Sequence, residues 1–265
     1  MRKIEVCCTS VEDVIEAYYG GAVRVELCSA ISSGGVTPSK GLVSEVIETV
    51  RHLAGNGTMK VNVLVRPREG SFCYSPSEVR TMLSDIRFCR DAGADGVVIG
   101  ALTQDGGIDL DACGKMVAAA EGMSVTFHRA FDAAADPQLA FEQIIGLGCD
   151  RLLTSGQKPS ALDGAELISR LVKSSDGRIT VMPGSGIKPS NIAEIERLTG
   201  ALEYHSTARA AVPDPNRHLV PSLGFDEPSA DSPADSQSGR AQENSEPMRH
   251  ILRTSRAVVR ELVGF

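Results

Sequence analysis

Two short segments carry the same chemical signature. In "KIEVCCT" and "AVRVELC" a glutamate stands two residues before a cysteine, Glu5 before Cys7 and Glu26 before Cys28, with the cysteines 21 residues apart. Both segments are strand-like, and side chains on a strand alternate between two faces. Val23, Val25 and Leu27 therefore share one face, and Arg24, Glu26 and Cys28 share the other. In the first segment Ile4, Val6 and Cys8 oppose Lys3, Glu5, Cys7 and Thr9. Thiols offer metal ligation and carboxylates offer proton transfer, so each segment presents a reactive face backed by an apolar one.

The same alternation places further polar groups on the reactive side. "KVNVLVR" leaves Asn62, Leu64 and Arg66 opposite its valines, "SVTFHRA" leaves Thr126 and His128, "RITVMPG" leaves Thr180 and Met182, and "LEYHS" leaves Glu203 and His205. Isolated charges cost several kcal/mol to bury, so these groups must pair with one another, be hydrated or meet a ligand. A self-satisfied ion network is one reading and a charged cavity is the other. Cys7, Cys28, Arg66 and His205 all fall late in their strands, which favours a cavity opening at the strand C-termini. In such a cavity Glu5, Glu26, His128 and His205 are the candidates for acid–base catalysis. Arg66 is the counter-charge for a small anionic ligand. "MPGSGI" and "HSTAR" add Gly184, Ser185, Gly186 and Ser206, at a position where barrel folds hold anions with backbone N–H groups. His128 and Asp132 meet as a pair only if the chain turns after Phe131.

Eight strand signals alternate with helix signals to position these residues. The strands are Ile4–Thr9, Ala22–Cys28, "KVNVLVRPR", "DGVVIGAL", "SVTFHRAFD", "DRLLTSG", "RITVMPGSGI" and "LEYHSTA", and "RTSRAVVRELV" is a closing helix. Eight strand–helix units in about 200–250 residues is the arithmetic of a single-domain α/β TIM (β/α)8 barrel; an open doubly wound sheet more often has five or six strands. Residues 1–209 are expected to form the barrel core. Residues 210–247, acidic and rich in Ser and Pro, are expected to be a disordered, flexible insertion, and 248–265 the closing C-terminal helix.

Composition narrows the function classes. The chain has 265 residues, 42% hydrophobic, with a formal net charge of −7, which argues against a nucleic-acid partner. "MRKIEVCCTS" has no signal-peptide h-region and no run approaches the length of a membrane span, so no membrane partner is expected. Seven cysteines without a CxxC pair point to reduced thiols and a cytoplasmic location. Cys8, Cys89 and Cys113 read as packing residues, and Cys73 and Cys149 carry no assigned role. A homo-oligomer is left open.

Taken together, "IEVCCTSVEDVIEAYYGGAVRVELCS", "GGVTPS", "VNVLVRPR", "DGVVIGALTQDG", "TFHRAFD", "LLTSGQKPSAL", "MPGSGI" and "EYHSTAR" resemble the copper homeostasis protein CutC family, in order from Ile4 to Arg209. The resemblance implies a TIM barrel and a cytosolic copper homeostasis role, with copper as the bound ion. It implies Cys7 and Cys28 as the metal ligands, and soft thiolates suit Cu(I). The alternative is a TIM-barrel enzyme acting on a small phosphorylated or carboxylated metabolite. After Arg209 the chain departs from the family's pattern.

Overall fold

A computed structural model describes residues 1–54, 59–215 and 250–264. Its central sheet contains β1 (Lys3–Cys8), β2 (Arg24–Leu27), β3 (Lys60–Leu64), β4 (Gly96–Ile99), β5 (Ser124–Phe127), β6 (Arg151–Thr154), β7 (Thr180–Pro183) and β8 (Glu203–Ser206). The ladders are all parallel and run in the order β7-β6-β5-β4-β3-β2-β1-β8. The intervening helices are α1 (Val11–Gly20), α2 (Lys40–Ala54), α3 (Pro76–Ala92), α4 (Leu110–Ala119), α5 (Pro137–Gly146), α6 (Ala165–Ser175), α7 (Ile192–Thr199) and α8 (Arg256–Val263). This is the expected (β/α)8 barrel. No ladder joins β7 to β8 among the described residues. A side chain bridges the gap, as Ser206 Oγ at the end of β8 donates to the Ile187 carbonyl after β7 at 2.9 Å.

The barrel forms because each strand has one thoroughly apolar face. Ile4, Val6 and Cys8 of β1, Val25 and Leu27 of β2, and Val61 and Val63 of β3 are buried in one cluster with helix residues such as Val14, Val46, Met82 and Ile86. Fully burying one such aliphatic side chain contributes about 1.5–3 kcal/mol. The layer between strands and helices thus carries the stabilisation, and the barrel interior is left free to be polar. Cys8, Cys89 and Cys113 belong to that layer, as expected of packing residues.

The chain divides into two compact units, Met1–Ala208 with Thr254–Phe265, and Arg209–Arg253. In the second, β9 (Arg209–Pro213) pairs with β10 (His250–Thr254). Of the insertion expected at 210–247, residues 216–247 lie outside the described residues, while 210–213 belong to β9. The expected closing helix is α8, and β10 precedes it.

Asp13 anchors the start of α8 to β1 and α1: its carboxylate accepts from Thr9 N at 3.1 Å, Thr9 Oγ1 at 2.9 Å and Thr254 N at 3.1 Å. Helices α1 and α8 then pack so closely that a Cβ on Gly20 would fall 2.5 Å from Val259 Cβ. Gly20→Ala is therefore expected to destabilise the fold by about 1–3 kcal/mol through overpacking. Val259→Ala should recover part of that loss in the double mutant, as read from urea denaturation midpoints. Strictly additive effects would show that this contact does not set the spacing of the two helices.

Candidate metal centre at the barrel mouth

The barrel interior is layered, and its lower layer is an ion network. Arg24 lies between two carboxylates. Its Nε donates to Glu5 Oε2, and its Nη2 donates to Glu203 Oε2 at 2.8 Å and meets Met182 Sδ at 3.4 Å. Arg151 joins from β6, donating to Glu203 Oε2 at 3.0 Å and to Ser124 Oγ at 2.6 Å. Glu5, Arg24 and Glu203 are only 1%, 6% and 7% exposed, so their mutual attraction is poorly screened. Burial opposes the Glu5 charge, but the His205 hydrogen bond and the Arg24 guanidinium outweigh it and hold the carboxyl at about 2. Glu203, despite its own burial, is lowered by Arg24 and Arg151. Arg24, Glu5 and Glu203 lie inside, as the period of two along their strands predicts. Arg151 was not among the expected interior residues, although the alternation in "DRLLTSG" puts it on the inward face.

Above this layer the register brings the two Glu-x-Cys segments together. Cys7 pairs with Glu26 across β1 and β2, and Glu5 pairs with His205 across β1 and β8. Cys7 Sγ and Cys28 Sγ lie 3.3 Å apart. His205 Nδ1 is 2.8 Å from Glu5 Oε1 and its Nε2 is 3.7 Å from Glu26 Oε2. One donor atom from each of Cys7, Glu26 and His205 falls within 4.8 Å of the other two, which makes these residues a candidate metal centre. Metal–S bonds of about 2.3 Å and metal–N bonds of about 2.0 Å let one ion touch donors so spaced.

The electrostatics of the apo centre follow from burial and mutual contact. Burial pulls the His205 imidazole down, but Glu26 and Glu5 outweigh it and raise its pKa. Glu26 is raised, chiefly by burial and against the attraction of His205. The Cys7 thiol is pushed well above its ordinary value by its hydrogen bond with Cys28, by burial and by the negative charge of Glu26. On their apolar side the two thiols pack with Leu64 and Val98.

The remaining expected site residues lie apart from this cluster in their bonding. Arg66 turns to the loops, with Nη1 donating to the carbonyls of Ser33 at 3.1 Å and Gly35 at 2.8 Å, and Nη2 to that of Gly70 at 2.9 Å. His128 is buried at the end of β5, where Nδ1 accepts from Ala130 N at 3.1 Å. Burial, then the charge of Arg66, lowers it to about 3. His128 and Asp132 do not pair. The Asp132 carboxylate instead takes Thr154 Oγ1 at 2.6 Å, Ser155 Oγ at 2.9 Å and Arg129 Nε at 2.8 Å, fastening the β5 loop to the β6 loop. In the Gly184–Gly186 turn, Ser185 Oγ donates to the Pro159 carbonyl at 2.8 Å, and Asn191 Nδ2 donates to the Gly186 carbonyl at 2.8 Å. Ser206 is spent on Ile187, as described above. A surface cavity of about 600 Å³ between α1 and α8, lined by Glu16, Ser255, Arg256, Ala257 and Arg260, contains none of the expected residues.

A parallel (β/α)8 barrel with a charged interior and paired thiols at its C-terminal mouth is the class that fold and site define. The chain belongs to the CutC family, whose family model matches residues 2–210. It is 49% identical over 211 residues to a CutC family protein of Parabacteroides distasonis, an alignment covering 80% of this chain and 84% of that one. It is 47% identical over 207 residues to the human protein named copper homeostasis protein cutC homolog, covering 78% of this chain and 73% of that one. A CutC structure from Streptococcus agalactiae matches with a TM-score of 0.73 at 31% identity, covering 78% of this chain and 99% of that one.

Arg24→Met is expected to be the most damaging single change in the interior. It leaves Glu5 and Glu203 buried without their shared cation, and breaking a buried pair in this way costs about 3–5 kcal/mol. Glu203→Gln should cost less, because Arg24 keeps Glu5. Equal urea midpoints for the two variants would show that Arg24 is not the central charge.

Proposed function

We propose that this protein is a cytosolic copper homeostasis protein that binds Cu(I) through the Cys7 and Cys28 thiolates at the barrel mouth. The observation that carries the reading is the 3.3 Å approach of the two sulfur atoms, on neighbouring strands and beside His205 and Glu26. Soft thiolate donors favour Cu(I) over hard cations, and imidazole is an acceptable partner ligand. The Glu5 carboxylate suits a positioning role: by accepting the Nδ1 proton of His205 it would leave Nε2 free to face the ion. The CutC family and the name of the human relative support copper as cargo. All seven cysteines are free, which accords with a reducing compartment. Among the described residues no helix is long and apolar enough to cross a membrane.

A second reading, an enzyme acting on a small anionic metabolite, draws on the His205 ring lying against both Glu5 and Glu26. An imidazole between two carboxylates is equipped to move a proton.

Cys7→Ser combined with Cys28→Ser is expected to abolish Cu(I) binding in competition with a chelator under reducing conditions, while Cys89→Ser, in the apolar layer, leaves it intact. Wild-type competition by the double mutant would remove the thiol site.

Cu(I) affinity is also expected to rise with pH. Cys7, and His205 where it ligates, must each release a proton, and both hold theirs more tightly than usual. Each displaced proton adds about tenfold in affinity per pH unit below the group's pKa. A flat profile between pH 6 and pH 8 would exclude these two groups as ligands.

A further inference from the structure

The other side of the barrel interior, on β3 and β5, poses a problem that the metal centre does not solve. Asn62 Nδ2, Arg66 Nε, Thr126 Oγ1 and His128 Nε2 are all buried without a hydrogen-bond partner among the described residues. Their residues are 1%, 6%, 0% and 5% exposed. Buried polar groups are almost always satisfied, because leaving one unpaired costs about 1–3 kcal/mol. Four such atoms in one region of one barrel call for a shared explanation.

The chemistry of the four atoms specifies the missing partner. Arg66 Nε and Asn62 Nδ2 are donors only. His128 is held neutral, since its pKa is lowered to about 3. Its Nδ1 already accepts from Ala130 N, so its single proton resides on Nε2, which is again a donor. Thr126 Oγ1 is able to donate as well. The missing partner is therefore an acceptor, and the Arg66 charge favours an anionic one.

Placement agrees with this. Phe72 links two of these donors: the Arg66 guanidinium lies over its ring at 5.1 Å, and the His128 ring centroid is 5.1 Å from its own. Phe72 is partly exposed and belongs to the loop after β3. The Tyr74 hydroxyl on the same loop lies beside the Arg66 guanidinium; burial raises its pKa, and the hydrogen-bonding contact and charge of Arg66 oppose that rise. The small inward positions Gly96 of β4 and Gly100 just after it let the Asn62 amide and the His128 ring lie directly against that strand. A Cβ on Gly100 would fall 2.6 Å from the His128 ring, and one on Gly96 would collide with the Asn62 amide. The Arg66 Nη groups are fixed by three loop carbonyls, so the Nε–H edge is held in place for a ligand.

We propose that the β3–β5 side of the barrel mouth binds a small oxyanion, a carboxylate or a phosphate group, between Arg66 Nε–H and His128 Nε2–H. The site stands whether or not the barrel is an enzyme, and it shares no residue with the proposed copper ligands. Thr126 lies one inward position deeper on β5 and Asn62 two inward positions deeper on β3, where they serve the remainder of the ligand. Phe72 is the side chain that must move for entry.

The test is nitrogen-15 NMR of the full chain, copper-free and reduced, reading the Arg66 Nε–H and His128 Nε2–H signals. Sodium acetate and sodium phosphate are titrated separately against sodium chloride at matched ionic strength. A saturable shift of both signals is expected with one of the anions, acetate marking a carboxylate site and phosphate a phosphate site. His128→Phe keeps the ring and removes the donor, and should weaken the anion about tenfold, read at Arg66. Should His128→Phe fail to fold, Arg66→Lys is the second variant, with a loss of about tenfold expected at the His128 signal. The proposal is overturned if neither anion moves both signals beyond the chloride control. It is equally overturned if both signals show only contact with a buried water, or if a variant that folds binds as wild type does.

Discussion

The interior of this barrel depends on Arg24. A parallel barrel of this size is ordinarily filled with layered aliphatic side chains, yet here a guanidinium occupies the lower layer with Glu5 on one side and Glu203 on the other. An ion buried in this way contributes little net stability, because desolvation consumes most of the attraction. What it contributes is position. Glu5 has two oxygens, and Arg24 takes Oε2 while His205 takes Oε1. The orientation of the imidazole at the mouth is thereby coupled to an arginine a layer below it.

Much of this was legible in the sequence, for a simple reason. A strand alternates its faces whatever surrounds it, so the apolar helix-facing side of each segment identified the polar inward side. Cys7, Cys28, Glu5, Glu26 and His205 were singled out in that way, and the register brings them together. The eight-strand rhythm gave the barrel by the same logic. Alternation says nothing about which inward groups bond to one another. Arg66 read as a free counter-charge, but its Nη groups bond to loop carbonyls at Ser33, Gly35 and Gly70, up to 33 residues away in sequence. His128 and Asp132 looked like an acid–base pair because they are near in sequence. The turn that follows β5 sends the Asp132 carboxylate to the β6 loop instead. Such bonds are made by loops, whose paths no periodicity reveals.

A self-satisfied ion network and a charged cavity coexist here at different depths of one interior. In the lower layer every carboxylate meets a guanidinium, and nothing there calls for a ligand. Nearer the mouth the pairing is incomplete. His205 lies against two carboxylates, Cys7 lies between Cys28 and the Glu26 carboxylate, and the donors on β3 and β5 have no acceptor. Function in barrels concentrates at the strand C-termini because loops can reach that end and reshape it. Here the change from satisfied to unsatisfied polar groups falls along the same axis.

The apolar residues of the mouth would give the proposed copper site its selectivity. Leu64 and Val98 pack against Cys7 and Cys28, so the sulfur atoms face hydrocarbon on one side and the His205–Glu26 pair on the other. A hard, strongly hydrated cation entering such a place loses water that thiols replace poorly, whereas Cu(I) loses little and gains polarisable donors. The same two aliphatic side chains stand between the thiols on β1–β2 and the donors Thr126 and His128 on β5, since Leu64 pairs with Val98 and Val98 with Thr126 in the ladder. A soft cation and an oxyanion would therefore occupy one barrel mouth without competing for donors. Each would also feel the other's charge through a low-dielectric partition, where a favourable cation–anion attraction is weakly screened.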